Sequence, residues 1–511
     1  MKPVLKACGR WTAAVALGLA MLGTTAALAD KSSNTFNWAS RYPIDVLDPY
    51  ANTSREAIII NGQLVWDTLI WRDPDSGDYK PLLATEWRWL DDTTLEFKLR
   101  TDVKWHNGQP LTADDAVYTL NRIVAPGAKI GIPRNVNWIK GAEKTGADTF
   151  KLFLKAPFPA AMEYLSSVIP IMPNNLYGAD GTPPTVEKAV GTGPYRIVSF
   201  TPSVSTEVEL TGNYFAGSPK GQPTIKRIVN RTIPDNSTQI AELLSGGTDW
   251  IWNVAPDQAK AIEKKENLSV ISAETMRLSV IQFNTRDTET TNPLKDKRVR
   301  QAIAYAIDRD RLIKSMVGAG AEIPLAACYK TQFGCEQNVK QYPFSADTAK
   351  KLLAEAGHAD DLTLDIMAFR SRDWSAAVAG MLNRVGIKTT INYVSYPAGQ
   401  ERHAKNQDQL YFQDNGWFSI NDASAALDSF FVGDSMDSTQ DKEITEWDRA
   451  ANSTTDAAKR KELFSKSLKK IAEEMYLLPL WSHPNVHAFR TDLDFKPYPD
   501  ENPRFYFAKW K

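Results

Sequence analysis

Long apolar runs, an excess of one charge and cysteine are all scarce in this sequence of 511 residues. Downstream of Asp30 no stretch approaches the ~20 consecutive apolar residues of a membrane helix. Lys and Arg number 60 against 61 Asp and Glu, and no basic face is evident along the chain. We therefore expect neither nucleic acid nor anionic membranes among the partners of this protein.

The N-terminus carries the one short apolar run, Trp11 to Leu22, and three basic residues precede it: Lys2, Lys6 and Arg10. Ala27-Leu28-Ala29 follows as a small-residue cleavage site. This order predicts a signal peptide over residues 1–29, cleaved after Ala29. Cys8 lies before the apolar run, so we expect no lipid anchor. The mature chain is expected in the periplasm of a Gram-negative bacterium.

Cysteine is limited to three residues, of which Cys328 and Cys335 would remain in the mature chain. Two cysteines this close together in an exported protein predict a local disulfide loop. A catalytic role for either is disfavoured, because no candidate base lies nearby in the sequence.

Enzyme motifs are also missing. There is no G-x-S-x-G, no P-loop and no dinucleotide-type glycine cluster; GTG at 191–193 and GAG at 318–320 each lack a third glycine and are better explained as turns. His483 and His487 have a helical metal-ligand spacing, but Pro484 between them argues against a helix. We therefore expect no catalytic residues, no metal and no cofactor, and keep an exported hydrolase as the alternative class.

Strand and helix patterns alternate along the mature chain. Thr93–Arg100 alternates apolar and polar residues as a half-buried strand does. Thr112 and Asp115 have the spacing of a helix capping box, and Ser345 is a helix N-cap candidate before a segment that ends at Gly357. Strands interleaved with helices predict an α/β fold. Two extended segments, Arg277–Thr285 and Tyr476–Phe489, are the candidate connections between two lobes, with the binding cleft between them.

Four segments together resemble one family. IIINGQLVWDTLIWRDPDSGDYKPLLATEWRWLDDTTLEFKLRTDVKWHNGQPLTADDAVYTLNRI resembles the start of the oligopeptide, dipeptide and nickel-binding type of ABC-importer solute-binding proteins (family 5). VGTGPY (190–195), FNTRDTETTNPLKDKRVRQAIAYAIDR and YPFSADTAKKLLAEAG resemble later motifs of that family, in the same order.

The resemblance implies a two-lobed periplasmic-binding-protein fold of type II, with an extra subdomain in lobe 1 and two interlobe hinge strands. We expect lobe 1 at 30–65, 190–278 and 486–511, the extra subdomain at 66–189, and lobe 2 at 279–485. The implied function is capture of a di- or oligopeptide or peptide-like solute, and its delivery to permease transmembrane subunits with cytoplasmic ATPases. Closure by hinge bending fits two interlobe strands. We expect a monomer that is not itself membrane-anchored.

The resemblance also places candidate ligand contacts in the stretch DNGWFSIND. In peptide-binding relatives an Asp three residues after the Trp of a GW pair grips the ligand ammonium group; here Ile420 occupies that position and cannot pair with a cation. Asp414 or Asp422 could take its place if the loop is reshaped. The missing Asp, together with the arginines and tryptophan of the candidate wall, leaves a non-peptide ligand open: an opine, a sugar phosphate conjugate, an oligosaccharide or a metal chelate. The remaining candidates in this stretch are Asn415, Trp417 and Ser419.

Further candidates lie in three other segments. Arg41 and Tyr42 belong to the first-lobe loop that meets the ligand in the family. Arg370 or Arg372 could hold a ligand carboxylate in bidentate fashion, and Trp374 could form a wall. Asn284, beside the expected hinge, could bond either the ligand or the backbone. Solvent exposure remains the alternative explanation for Arg41, Tyr42 and the two arginines.

Overall fold

The computed structural model describes residues 31–52, 54–176, 184–287, 292–359, 361–369, 372–416 and 419–511. Within these residues the strands, in chain order, are β1 Thr35–Ser40, β2 Ile70–Arg72, β3 Tyr79–Pro81, β4 Ala84–Asp91, β5 Thr94–Leu99, β6 Ile139–Lys144, β7 Thr149–Leu154, β8 Tyr195–Thr201, β9 Ser205–Leu210, β10 Arg227–Thr232, β11 Trp250–Ile251, β12 Leu268–Phe283, β13 Thr363–Ala368, β14 Lys388–Tyr393, β15 Leu410–Asn415, β16 Leu477–Arg490, β17 Leu493–Asp494 and β18 Lys509–Trp510.

The α-helices of the same residues are α1 Arg55–Ala57, α2 Ala113–Arg122, α3 Ala161–Ser167, α4 Asn236–Ser245, α5 Pro256–Ile262, α6 Lys297–Ala306, α7 Arg309–Leu312, α8 Ala346–Glu355, α9 Arg372–Arg384, α10 Tyr396–Ala404, α11 Ser424–Phe430, α12 Lys442–Ala451 and α13 Ala457–Glu474. Helix α1 continues as a π-helix through Ile58–Val65.

One main sheet runs through both halves of the molecule, in the order β14-β13-β15-β12-β16-β11-β1-β10-β9-β8. We call the half that contains β1 and β8–β11 lobe 1, and the half that contains β13–β15 lobe 2. The long strands β12 and β16 pair with each other along most of their length and join the two halves. The α/β fold with two interlobe strands is confirmed.

The pairing of β12 with β16 shifts register twice, and the larger shift lies between Glu274↔Pro484 and Leu278↔Ser482. Three residues of β12 lie opposite one residue of β16 at this point, which makes a bulge in the middle of the connection. Arg277 is the last of those three residues, so its side chain leaves the sheet where the lobes meet.

A second sheet, in the order β4-β5-β7-β6, lies within the segment expected to form the extra subdomain. Leu95, Phe97 and Leu99 of β5 are buried, as the alternation predicted. The capping box of α2 is also confirmed: Thr112 and Asp115 make both reciprocal bonds. The apolar side chains of this sheet join those of lobe 1 in one continuous core.

The GTG turn has a steric reason for its glycines. A Cβ on Gly191 would lie 1.8 Å from the carbonyl oxygen of Val65, and one on Gly193 would lie 2.3 Å from that of Leu64. Gly193 N donates to Val65 O at 2.8 Å. The turn therefore packs tightly against the end of the π-helix. That helix forms one wall of the candidate site between the lobes.

The predicted disulfide between Cys328 and Cys335 is present. It closes a loop of lobe 2 that lies against the stretch following β15. Gln332 Nε2 donates to Ile420 O at 2.7 Å, and Phe333 N donates to Asn421 O at 3.0 Å. The disulfide loop therefore supports the chain from Ile420 to Ala423 by hydrogen bonds to its backbone.

Candidate functional site in the cleft between the lobes

The stretch after β15 crosses from lobe 2 to lobe 1. Ser419 donates its hydroxyl proton to the carbonyl oxygen of Asp500 and accepts a hydrogen bond from Arg55 Nη1 at 3.2 Å. Asn421 N donates to Glu163 Oε1 at 3.0 Å. Ser419 has a φ of +67°, which turns this part of the chain sharply toward lobe 1. This stretch is therefore one of the contacts between lobe 2 and lobe 1.

Arg277, Asp414 and Glu501 form an ion-paired cluster at the bulge, which we call the hinge triad. Arg277 Nη1 lies 3.1 Å from Asp414 Oδ2, and its Nη2 lies 3.1 Å from Glu501 Oε2. Asp414 is on β15 of lobe 2, whereas Glu501 is on the C-terminal loop that packs with lobe 1. Burial alone would raise the pKa of Glu501, but Arg277 and Arg55 lower it to about 2. The triad thus holds the lobes together through buried charge.

Gly416 lies directly beside the side chains of the hinge triad. A Cβ at this position would lie 3.1 Å from Arg277 Nη2 and 3.3 Å from Glu501 Oε2. A larger residue here would require the side chains of Arg277 and Glu501 to shift by a few tenths of an ångström.

A pocket of about 590 Å³, counting the solvent at its mouth, opens beside these contacts. We call it the charged pocket. Four cations line it: Arg55, Arg72, Lys220 and Arg504. Asp500 is the acid in the lining, Trp71 and Tyr506 are its aromatic members, and Ser419 is the lobe 2 contribution.

Three of these cations are fixed by buried acids. Arg72 pairs with Glu163 at 2.6 Å and with Asp500 at 3.1 Å, and Arg504 also pairs with Asp500. Burial alone would raise the pKa of Asp500, but Arg504 and Arg72 lower it to about 2. Since each member is held by several partners, this wall is rigid before any solute arrives.

Lys220 is fixed in the same way. Its Nζ lies 2.6 Å from Asp67 Oδ1 and donates to Gln63 O at 2.7 Å. Both side chains are almost completely buried.

Arg55 differs from the other cations of the pocket. Its Nη1 donates to two neutral oxygens, Ser419 Oγ at 3.2 Å and Asn502 Oδ1 at 3.0 Å, and its acid partner Glu501 is 3.4 Å away and shared with Arg277. Burial lowers the pKa of Arg55, and Glu501 compensates only in part. A carboxylate entering the pocket would therefore gain most at Arg55, since this partly buried cation has the least complete counter-charge.

The candidate acids of the DNGWFSIND stretch both hold an arginine. Asp414 belongs to the hinge triad, and Asp422 receives two hydrogen bonds of 3.0 Å from Arg460 inside lobe 2. Ile420 is buried, at 2% exposure, and Asn415 ends β15 opposite Leu278. Of the candidate residues in this stretch that the structure describes, Ser419 is the one that lines the charged pocket.

The other candidates lie further from that pocket. Arg41 and Tyr42 are exposed just after β1, and Asn284 is buried, donating to Asn406 Oδ1 and Asp408 O, both at 2.8 Å. Arg372 lies over the ring of Tyr393 at 4.2 Å. Trp374 packs edge-on against Trp481, and Trp138, a further wall candidate, stacks on Phe158. Arg370 and Trp417 lie outside the described residues. As ligand contacts, all of these candidates stay predictions.

Sequence reasoning missed the cations and acids that build the site: Arg55, Arg72, Glu163, Lys220, Arg277, Asp500, Glu501 and Arg504. They come from segments far apart in the chain. Arg277 alone carried a usable signal, because it opens one of the two segments expected to connect the lobes.

No group of three or more His, Cys, Asp or Glu among the described residues is arranged to hold a metal ion. None of the helices in the described ranges combines the length and the apolar composition needed to cross a membrane.

Comparison with known proteins gives similarities in both sequence and fold. The glutathione-binding protein GsiB of Pectobacterium atrosepticum is 30% identical over 327 residues, which is 61% of this chain and 59% of that protein. That alignment spans less than two thirds of the relative's length. HbpA2 of Haemophilus parasuis has a TM-score of 0.81 at 20% identity, covering 93% of this chain and 100% of the other.

A dipeptide-binding protein of Pseudoalteromonas sp. SM9913, in complex with Met-Leu, has a TM-score of 0.73 at 18% identity over the same shares of the two chains. The family model for bacterial extracellular solute-binding proteins, family 5 (middle part), matches residues 78–438, which is well over half of the sequence. The chain therefore belongs to family 5 of the bacterial extracellular solute-binding proteins, the solute-capturing components of ABC importers.

Proposed function

We propose that this protein captures a small peptide-like solute bearing free carboxylates in the cleft between the lobes and delivers it to the permease without altering it chemically. It acts as a monomer in the periplasm, after cleavage following Ala29. The observation that carries the ligand class is Arg55, a partly buried cation of the charged pocket whose shortest hydrogen bonds go to neutral oxygens.

The composition of the pocket supports a carboxylate-rich solute. Its lining has four cationic side chains and one acid, and that acid is already shared by Arg72 and Arg504. Arginine presents a planar fork that matches a carboxylate in bidentate geometry. Glutathione, the ligand named for the relative GsiB, has two carboxylates and one ammonium group, and one of these carboxylates would pair with Arg55.

The contacts between the lobes support capture by closure. Arg55 reaches Ser419 across the cleft, so a solute carboxylate at Arg55 would lie against both lobes. A solute that contacts both lobes stabilises the closed form over the open form by its differential affinity. The proposed domain limits follow the sequence boundaries given above, with the cleft between lobe 1 and lobe 2.

The alternative class, an exported hydrolase, has a weaker basis. A serine–histidine hydrogen bond does lie between the central strands, Ser279 Oγ to His483 Nε2 at 2.8 Å. Ser279 is 1% exposed, however, and lies within the β12–β16 pairing. A nucleophile must reach the substrate, so we interpret this pair as a structural link between the strands.

The test is ligand binding to mature protein that has been unfolded in urea and refolded to remove any retained solute. Glutathione, Ala-Ala and glutathione diethyl ester are titrated by calorimetry and by thermal unfolding. The ester has the same backbone but no free carboxylate, so it is the matched control ligand. We expect a saturable rise of the Tm with glutathione and none with the ester; a ligand at 100 times its Kd stabilises by about 2.7 kcal/mol.

The matched protein variants are Arg55→Gln and Arg298→Gln. Arg298 lies outside the cleft in an exposed pair with Asp296. We expect Arg55→Gln to weaken glutathione binding by about tenfold or more, since a hydrogen bond to a charged group contributes about 1.5–3 kcal/mol, and Arg298→Gln to leave it unchanged. Equal binding of glutathione and its diester, or equal affinities of the two variants, would contradict the proposal.

A further inference from the structure

A second pocket of about 480 Å³, counting open solvent, adjoins the charged pocket. Four residues line both: Ile58, Gly62, Ser167 and Val168. Gly62 lies at the junction with no atom within 4 Å of the place where a Cβ would be. The two pockets therefore share part of their lining at this junction.

The second pocket is apolar, and we call it the apolar pocket. Ile130, Ile132 and Val136 form the side that belongs to the expected extra subdomain. Pro49 and Tyr50 come from lobe 1, and Pro170 is a further member from the expected extra subdomain. Its lining contains no charged residue among those the structure describes, whereas four cations line the adjacent charged pocket.

The walls of the apolar pocket are tied to each other. Tyr50 donates its phenolic proton to Pro170 O at 2.6 Å, and Gly131 N donates to Tyr50 O at 3.0 Å. The second bond joins the loop that carries Ile130 and Ile132 to lobe 1. The pocket is thus held open by hydrogen bonds in its frame rather than by its apolar lining.

Two amide side chains give the apolar pocket a limited polar capacity. Asn52 Nδ2 and Asn135 Oδ1 are shielded from solvent and have no hydrogen-bond partner in the described part of the chain. A donor and an acceptor left unsatisfied in this way favour a ligand that supplies the matching groups. A peptide group supplies one of each.

We propose that the apolar pocket is a subsite for an alkyl or aryl side chain of the same solute whose carboxylate end lies in the charged pocket. The preferred solute is then amphipathic: a carboxylate-rich, peptide-like head with an apolar substituent, as in a γ-glutamyl peptide conjugated at its thiol. This inference rests on the proposed function, since the charged pocket must hold the head for the subsite to be filled.

The experiment is calorimetric titration of the refolded mature protein with four probes: glutathione, S-methylglutathione, S-butylglutathione and S-hexylglutathione. The heads are identical and only the apolar arm grows. Burial of each methylene tightens binding by up to about fourfold. We expect S-hexylglutathione to bind at least about thirtyfold more tightly than glutathione, with a more negative heat-capacity change.

Ile132→Trp narrows the apolar pocket, and Ile240→Trp is the matched control in α4, where the isoleucine is also partly buried but outside both pockets. The increase in affinity along the series should disappear in Ile132→Trp and persist in Ile240→Trp. Equal affinities for all four probes would overturn the subsite and leave the proposed function standing. Failure of all four to bind would overturn the proposed ligand class and the subsite with it.

Discussion

Replacing Arg277 by glutamine removes the cation from the hinge triad and leaves Asp414 and Glu501 beside each other without it. Their side chains are 3% and 15% exposed, and that of Arg277 is 24% exposed. Removing one partner of a buried ion pair costs about 3–5 kcal/mol. Because this cluster is partly solvated and Arg55 still faces Glu501, we expect a loss of about 2–4 kcal/mol in the free energy of unfolding at pH 7.

The pH dependence sharpens this prediction. The pKa of Glu501 is about 2 in the folded protein, and an ordinary Glu has a pKa of about 4.3 in the unfolded chain. A carboxyl with a lowered folded pKa contributes stability above its unfolded pKa, here about 3 kcal/mol, and that contribution is lost as the pH falls through the folded pKa. In Arg277→Gln the pKa of Glu501 rises, so most of this contribution is already missing at pH 7.

The assay is urea unfolding followed by tryptophan fluorescence at pH 7 and at pH 3. The difference in free energy between the wild type and Arg277→Gln should be largest at pH 7 and should shrink at pH 3, where the wild type loses part of its Glu501 contribution. Arg298→Gln, which breaks an exposed pair with Asp296, should change stability by less than about 0.5 kcal/mol at pH 7. A difference below about 0.5 kcal/mol for Arg277→Gln, or one that stays constant with pH, would refute the reasoning.

Three further predictions concern neighbouring features. Removing the disulfide by Cys328→Ser with Cys335→Ser should lower the free energy of unfolding by about 2 kcal/mol, measured by urea unfolding. It should also weaken solute binding, measured by calorimetry, because the disulfide loop supports Ile420 and Asn421; unchanged binding would contradict this supporting role. Gly416→Ala should destabilise the folded protein by about 1–3 kcal/mol through crowding at Arg277. Gly380→Ala, in α9 with open space around it, is the control and should be neutral or stabilising. Equal effects of the two variants in thermal unfolding would contradict the steric argument. Burial raises the pKa of Asp448 to about 8, so the folded state keeps the proton on this carboxyl. Wild-type stability should therefore fall as the pH rises from about 4 toward 8. Asp448→Asn should flatten this slope in urea unfolding, and an unchanged slope would refute the raised pKa of Asp448.

Local patterns predicted much of the fold. The alternation of Leu95, Phe97 and Leu99, the capping box of α2 and the N-cap of α8 at Ser345 depend on residues close in sequence, and each is confirmed. Of the two extended segments expected to join the lobes, Arg277–Thr285 overlaps the last part of β12, and Tyr476–Phe489 covers all of β16 except Arg490. The disulfide was predictable because the two cysteines are seven positions apart.

The site was less predictable because its members meet only after folding. Asp422 was a reasonable candidate for an ammonium group until Arg460, 38 residues later, was seen to hold both its oxygens. Arg55 and Glu501 are 446 positions apart and meet because the C-terminal loop packs beside the helix that begins at Arg55. Charge pairing over such distances leaves no periodic signal, so sequence patterns identified Ser419 but not the cations around it.

The central claim is reversible capture of a small carboxylate-bearing solute, and native mass spectrometry of the mature protein, isolated gently from a periplasmic extract, tests it most directly. We predict one adduct per chain that is lost on denaturation, and whose fragments identify a peptide-like solute with free carboxylates. Its loss should also be faster from Arg55→Gln than from Arg298→Gln. A protein that retains no adduct even after incubation with glutathione and its S-alkyl derivatives, or one that converts them to products, would contradict the account.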